Sequence, residues 1–264
     1  FSVRSRRSSR ATDVFTRREC RREGRRASPM TVTLVLSAIM APALFWTGYL
    51  YYKDRFQPEP LLKFGASYVL GFAAAFGCLK LYDLLAFAGV PNAYGAQLLT
   101  PERGTYLAAC LFLTGPLEEM CKFLPFFLVT LRYREFDEKT DGIIYASAVA
   151  LGFASFENLG YLGYLSGFEL FGRAVASPLT HAVFSSVWGY AVASAKLRGK
   201  TVFFPAVGGL GLSALFHGLF NFFTTSAALR LLGALLILGI WAWVIVKFEK
   251  EAKAQSRLIS RGGS

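Results

Sequence analysis

Two adjacent carboxylates, Glu118 and Glu119, and the ammonium group of Lys122 interrupt an otherwise apolar stretch of the chain. A charge at the centre of a bilayer costs from about 3 to more than about 10 kcal/mol, so such groups persist there when a partner or a function uses them. Lys122 follows Glu118 by four residues and Glu119 by three, so a helix brings it next to both. The spacing predicts a buried ion pair but does not decide which glutamate forms it.

Four polar side chains from four predicted membrane helices fall at one depth. Counted from the cytoplasmic end of its own helix, Glu118 lies 13 residues in, and Glu157, His181 and His217 each lie 16 residues in. At about 1.5 Å per residue, these positions are about 20–24 Å from the inner face, in the outer half of the bilayer. The shared depth predicts one joint site rather than four separate interhelical hydrogen bonds.

This layer contains the groups needed to activate water. A carboxylate in a dry cavity can act as a general base, so Glu118 and Glu119 are candidate catalytic residues. A histidine and an amide can donate hydrogen bonds to a developing oxyanion. Asn221 follows His217 by four residues, so the two side chains project from the same helical face.

A metal centre is the alternative arrangement for the same layer. Glu157, His181 and His217 are of the types that hold Zn²⁺ with water at an open position. Asn158, next to Glu157, is a candidate supporting residue, as is Lys122. The residue types do not decide between a metal-dependent and a metal-free centre, so zinc stays a candidate cofactor.

Pro116, two residues before Glu118, raises the question of a helix break. Proline fits the first position of a helix, with Thr114 or Gly115 near the cap. If the span breaks there, the glutamates occupy a helix N-terminus whose dipole favours the ionised carboxylate, whereas desolvation acts in the opposite direction. The sequence leaves both arrangements open.

The bulk composition predicts an all-α fold, a polytopic membrane helix bundle of about seven transmembrane helices. Of the 264 residues, 54% are hydrophobic, and the mean hydropathy of +0.40 is too apolar for an ordinary soluble domain. Apolar runs of about 20 residues mark the spans. They are Thr31–Tyr52, Leu61–Leu79, Gly104–Leu131, Gly142–Ser166, Pro178–Leu197, Val202–Phe223 and Ala227–Phe248. The mixed segment before the third span is expected to hold a short interfacial helix.

Residues 30–250 therefore form one helical membrane domain, followed by a charged cytoplasmic tail, 251–264. In the loops, fourteen Lys and Arg residues lie on one side and four on the other, which places the C-terminus in the cytoplasm. Residues 1–29 are predicted to be a disordered basic tail, and their ten arginines favour the opposite orientation. A translation start at Met30 explains this conflict best, and a transit peptide or a native tail are the alternatives.

The charge and the cysteines exclude two classes of function. Nucleic-acid binding is not predicted despite the net charge of +12, because no folded basic module follows the Arg-rich segment. The basic excess in the rest of the chain instead suits contact with an anionic lipid bilayer. The four cysteines show no CxxC spacing, so they predict neither a disulfide framework nor a zinc site with cysteine ligands. Nothing in the sequence indicates an oligomeric state.

Four motifs in order give the chain a family resemblance over residues 31 to about 248. They are Glu118-Glu119-x-x-Lys122, then Gly152-Phe153-Ala154-x-x-Glu157-Asn158-x-x-Tyr161, then His181 followed by Trp188-Gly189, and finally His217-x-x-x-Asn221. In these motifs the chain resembles the PrsW family of intramembrane proteases, within the wider superfamily of CAAX-prenyl proteases and bacteriocin-processing proteins.

The resemblance implies hydrolysis of a peptide bond in a membrane-anchored protein, such as an anti-sigma factor, at the bacterial cell membrane. By the same resemblance, Glu118 or Glu119 activates water, and Glu157, His181 and His217 complete the centre. Asn221 would then help to bind the oxyanion. Members of the superfamily have been regarded both as metalloproteases and as metal-free glutamate proteases.

Two other classes of function suit the same residues. Intramembrane carboxylates and histidines also serve proton relays, so a proton or ion carrier, or an immunity-type binding factor with a degenerate site, is the first alternative. The absence of repeat symmetry in the sequence disfavours a carrier. A purely structural membrane protein is the second alternative.

Overall fold

A computed structural model describes residues 40, 43–54, 57–90, 102–161 and 167–262. These residues form helices and connecting turns, with no strand among them, which confirms the predicted all-α class. The helices are α1 (43–53), α2 (Leu61–Phe87), α3 (Arg103–Ala109), α4 (Gly115–Leu128), α5 (Lys139–Tyr161), α6 (Gly167–Lys196), α7 (Phe203–Phe223) and α8 (Ala227–Gly262). A π-helical turn, Cys110–Thr114, joins α3 to α4, and a short 3₁₀ helix, Thr130–Arg132, follows α4.

Helix α5 forms the centre of the bundle, with 83% of its most apolar window buried. It packs mainly against α2 and α6. Small residues allow this close packing, because a Cβ atom built on Gly142 of α5 would lie only 2.3 Å from the carbonyl oxygen of Gly189 on α6. The helices that surround α5 therefore approach it backbone to backbone.

Four helical segments are long and apolar enough to cross a membrane: α2, α5, α7 and residues Ala228–Glu251 of α8. Their outward faces carry exposed apolar side chains such as Val69, Phe76 and Val207, as contact with lipid requires. This confirms the membrane helix bundle, whereas the count of seven spans stays a prediction. The basic tail, the start of the first span and most of the interfacial segment lie outside the described residues.

Several helix boundaries differ from the predicted spans, and α2, for example, continues to Phe87 rather than to about Leu79. Helix α6 begins at Gly167 rather than at Pro178, which lies inside it. The residues just before Pro178, including Arg173, belong to the same helix. Helix α8 continues to Gly262, so most of the segment predicted as a tail extends the last helix.

The helix does not break at Pro116. Thr114 and Gly115 keep right-handed helical dihedrals, and the Gly115 N–H bonds to the carbonyl of Cys110, as in a π turn. A π turn inserts one extra residue into a helix without ending it, and it often occurs at functional sites. Glu118 therefore does not lie at a free helix N-terminus, and the dipole argument does not apply to it.

A cluster of buried carboxylates lies where α1 ends and α5 begins. Oδ2 of Asp54 accepts the backbone N–H of Glu59 at 3.2 Å, and the Tyr145 hydroxyl donates to Oε2 of Glu59 at 2.5 Å. Asp141 accepts the backbone N–H of Glu138 at 2.6 Å. Burial raises the pKa of Asp54 to about 8, and the neighbouring Asp141 and Glu138 add to this rise.

Candidate active site

Glu119 lies at the centre of the polar layer, and four hydrogen-bond donors surround its carboxylate. Oε1 lies 2.7 Å from Nζ of Lys122 and 2.9 Å from Nδ1 of His217. Oε2 accepts the Ser185 hydroxyl at 3.0 Å and the Trp188 indole N–H at 2.9 Å. Because Glu119 is completely buried, these donors compensate its desolvation and join α4, α6 and α7 at one point.

Glu118 has longer contacts than its neighbour. Its Oε1 lies 3.4 Å from the Tyr82 hydroxyl, and its Oε2 lies 3.4 Å from Nε2 of His217 and 3.9 Å from Nζ of Lys122. Lys122 therefore pairs mainly with Glu119, which decides a point that the spacing left open. Glu118 is 1% exposed, so it is as buried as its neighbour, although these three contacts are longer than those of Glu119.

Glu157 lies between a histidine and an arginine. Its Oε2 is 2.9 Å from Nε2 of His181, and its Oε1 accepts Nη2 of Arg173 at 2.6 Å. The Arg173 guanidinium also stacks over the Tyr161 ring, 3.5 Å from its centroid. The Glu157 carboxylate thus contacts α6 at two residues, Arg173 through one oxygen and His181 through the other.

The two histidines meet edge to face, with ring centroids 5.1 Å apart. One ligand atom each from Glu118, His181 and His217 lies within 4.8 Å of the other two, which is the only such group found among the described residues. Counted with neutral histidines and ionised carboxylates, the three glutamates and the two cations Lys122 and Arg173 leave this layer with one net negative charge. A layer of this charge favours a bound cation.

The hydrogen bonds of both rings fit a metal-binding role. Metal-bound histidines usually donate the other ring N–H to a carboxylate. In His217, Nδ1 faces Glu119 and Nε2 faces Glu118, whereas in His181 Nε2 faces Glu157. Nδ1 of His181 is buried and has no hydrogen-bond partner in the part of the chain that the structure describes. The donor set therefore fits Zn²⁺, with three protein ligands and an open position.

The two asparagines predicted for the site have different surroundings. Asn158 is buried at 3% exposure, and its amide has no hydrogen-bond partner among the described residues. Asn221 is half-buried one turn after His217, and its backbone carbonyl accepts the Thr224 hydroxyl at 2.8 Å. Both lie next to a site residue in the chain, and their side-chain roles stay predictions.

Four contacting residues were not predicted from the sequence: Tyr82, Arg173, Ser185 and Trp188. The residue type of Trp188 favours a core or interface role, although it belongs to the third motif and follows His181 by seven residues, two helical turns on the same face. The expected helix start at Pro178 places Arg173 in a loop. Tyr82 lies beyond the predicted end of the second span.

Comparison with known proteins gives a consistent result. The family model described as PrsW family intramembrane metalloprotease matches residues 59–247. Protease PrsW of Oceanobacillus iheyensis is 30% identical over 230 residues, which cover 86% of this chain and 99% of the relative. Protease PrsW of Geobacillus kaustophilus is 28% identical over 225 residues, covering 84% and 94%. Protease PrsW of Bacillus subtilis is 26% identical over 225 residues, covering 83% and 96%. Comparison with solved structures found no significant match.

Proposed function

Because the chain belongs to the PrsW family of intramembrane metalloproteases, a family of membrane-embedded peptidases, we propose that Glu118, His181 and His217 form its hydrolytic centre. The observation that carries this proposal is the convergence of these three side chains, from α4, α6 and α7, in one buried group. No soluble domain is needed, because the bundle itself supplies the base, the candidate ligands and a water-excluding wall.

In this proposal Zn²⁺ would be held by the Glu118 carboxylate, Nδ1 of His181 and Nε2 of His217. A zinc ion held there would polarise the scissile carbonyl and would lower the pKa of a water molecule to about 7. The sequence predicts Glu157, rather than Glu118, as the carboxylate ligand of the zinc ion. The contacts of Glu157 with Arg173 and His181 favour a role behind the histidine instead, as an orienting carboxylate.

The protein side chains divide the remaining work. The Glu118 oxygen that would not hold the metal accepts the proton of the attacking water, because Glu119 already receives four hydrogen bonds. Glu119 orients the His217 ring and neutralises Lys122. Asn221, one turn after His217, donates to the oxyanion that forms on the scissile carbonyl.

The substrate in this proposal is a single-span membrane protein of the anti-sigma-factor type, cleaved on the outer side of a bacterial cell membrane. Three observations support it. The site residues fall in the outer half of the predicted spans, the loop charges place the C-terminus in the cytoplasm, and the relatives compared above are bacterial.

The experiment is cleavage of a tagged single-span substrate by the purified full chain in proteoliposomes, with zinc analysis of the same samples. Glu118→Gln should lower the cleavage rate by about 10²–10⁴-fold, and His217→Ala should also lose the zinc. Glu102→Gln, an exposed glutamate at the start of α3, is the matched control and should behave as wild type. Full cleavage by Glu118→Gln overturns the assigned centre. Full cleavage by zinc-free wild type overturns the metal assignment alone.

A further inference from the structure

Arg173, Glu157 and His181 form a continuous chain of contacts across two helices. Arg173 and His181 lie on one face of α6, eight residues or about 12 Å apart, and Glu157 of α5 lies between them. The Glu157 carboxylate contacts the guanidinium through one oxygen, at 2.6 Å, and the imidazole through the other, at 2.9 Å. Each carboxylate oxygen therefore lies within 3 Å of a nitrogen of one of the two neighbours.

The chain restricts the position of the proton on His181. A carboxylate paired with a guanidinium is anionic, and an anionic oxygen 2.9 Å from a ring nitrogen favours an N–H there over a lone pair, so Nε2 of His181 carries the ring proton. In the neutral ring Nδ1 then bears the lone pair, and Nδ1 is the buried atom that has no hydrogen-bond partner among the described residues. The tautomer of His181 thus follows from a contact on the far side of the ring.

Arg173 is held in a fixed orientation. Its guanidinium stacks over the Tyr161 ring at 3.5 Å, and its side chain is 26% exposed, against 13% for Glu157. A planar guanidinium that both stacks and donates to a carboxylate cannot rotate as freely as an ammonium group. It therefore fixes the Glu157 carboxylate from the side away from the histidine.

We propose that Arg173 is a positioning residue, which holds Glu157 so that His181 keeps its proton on Nε2 and presents Nδ1 to Glu118 and His217. The inference rests on the proposed function in one respect, that Nδ1 is the atom that would bind the metal. Loss of such an outer contact typically weakens metal binding by about 10–100-fold. Arg173→Met should fall in this range, and Arg173→Lys should lose less affinity, because its ammonium still pairs with Glu157 but does not stack on Tyr161 in a fixed orientation.

Two measurements test the proposal. The first is the zinc affinity of the purified chain in competition with a chromophoric chelator. The second is ¹⁵N NMR of the metal-free chain with ¹⁵N-labelled histidine. The chain contains two histidines, so the spectrum of His217→Ala identifies the signals of His181. We expect the Nε2–H tautomer for His181 in wild type and a mixture of tautomers in Arg173→Met. The matched control is Arg230→Met, since the Arg230 side chain donates to the backbone carbonyl of Thr224 at an exposed position.

The outcomes separate the two proposals. An Nδ1–H tautomer of His181 in wild type overturns the positioning role, and this result requires no variant to fold. An Arg173→Met protein with wild-type zinc affinity and an unchanged tautomer overturns it as well. Wild type that shows the Nε2–H tautomer but binds no zinc contradicts the metal centre and supports the positioning role of Arg173.

Discussion

Oε1 of Glu119 lies 2.9 Å from Nδ1 of His217, while Nε2 of the same ring lies 3.4 Å from Glu118. One imidazole therefore connects two adjacent glutamates through its two nitrogens. Because consecutive residues of a helix point about 100° apart, the two carboxylates leave α4 in different directions. The two glutamates therefore have different environments. Glu119 receives four hydrogen bonds, whereas the contacts of Glu118 with Tyr82 and His217 are 3.4 Å long.

Replacing each glutamate by glutamine should have a different main effect. Glu119→Gln removes the charge that pairs with buried Lys122 and places an amide N–H₂ among donors, so we expect a destabilisation of about 3–5 kcal/mol. Glu118→Gln should unfold near the wild-type temperature and lose cleavage. Thermal unfolding in detergent, measured with the cleavage assay, distinguishes the two. A stable, inactive Glu119→Gln beside an active Glu118→Gln would reverse the roles assigned here.

Depth and motif order predicted which residues of the site come together. Glu118 and His217 were placed in one layer because each position was counted along a regular helix from a loop, and helices keep a constant rise. The same counting brought Glu157 and His181 to this layer, and the structure has them 2.9 Å apart.

The rotation of each helix about its axis was not predicted, because it follows from tertiary packing. Tyr82 and Trp188 are apolar enough to be interpreted as core or lipid-facing residues, and only the crossing of α2 and α6 with α4 brings their polar atoms to the glutamates. Arg173 was missed for another reason. The fifth span was placed by its apolar run, from Pro178, whereas α6 begins at Gly167 and includes Arg173.

Gly115→Ala should separate α4 from α7. A Cβ at this position would lie 2.3 Å from the carbonyl oxygen of Ala214, which is backbone and cannot rotate away. We expect a loss of stability of about 1–3 kcal/mol, and a loss of cleavage of about 100-fold because Glu118 moves relative to His217. Gly104→Ala on α3, where a Cβ meets nothing within 4 Å, is the control for helix propensity. Equal behaviour of the two variants would contradict this close packing.

Deleting residues 1–29 should leave the orientation in the membrane unchanged. The loops of the remaining chain carry fourteen Lys and Arg residues on the side of the C-terminus and four on the other, and this bias is sufficient without the ten arginines of the tail. The measurement is a C-terminal reporter that is active only in the cytoplasm, on the full and the shortened chain. A second fusion in the loop between α7 and α8 should be inactive, and the opposite pattern would invert the predicted topology.

Asp54 should make the protein less stable as the pH rises. Its pKa increases from an ordinary value of 3.8 to about 8 in the folded protein, mainly through burial. Between these values the folded protein holds a proton on Asp54 that the unfolded chain has released. The contribution of Asp54 to stability is therefore complete below its unfolded pKa, declines by up to about 1.4 kcal/mol per pH unit, and is lost once the pH passes its folded pKa.

Asp54→Asn tests this prediction, because an amide resembles the protonated acid and its carbonyl can still accept the Glu59 backbone N–H. The unfolding temperature of the variant should fall less than that of wild type between about pH 5 and pH 8, since the amide side chain does not titrate. Asp83→Asn is the matched control, as Asp83 is 56% exposed and paired with Lys80 at the surface, where a salt bridge contributes little. Parallel curves for wild type and Asp54→Asn would show that Asp54 is already ionised in the folded protein, and that the carboxylate cluster between α1 and α5 is open to water.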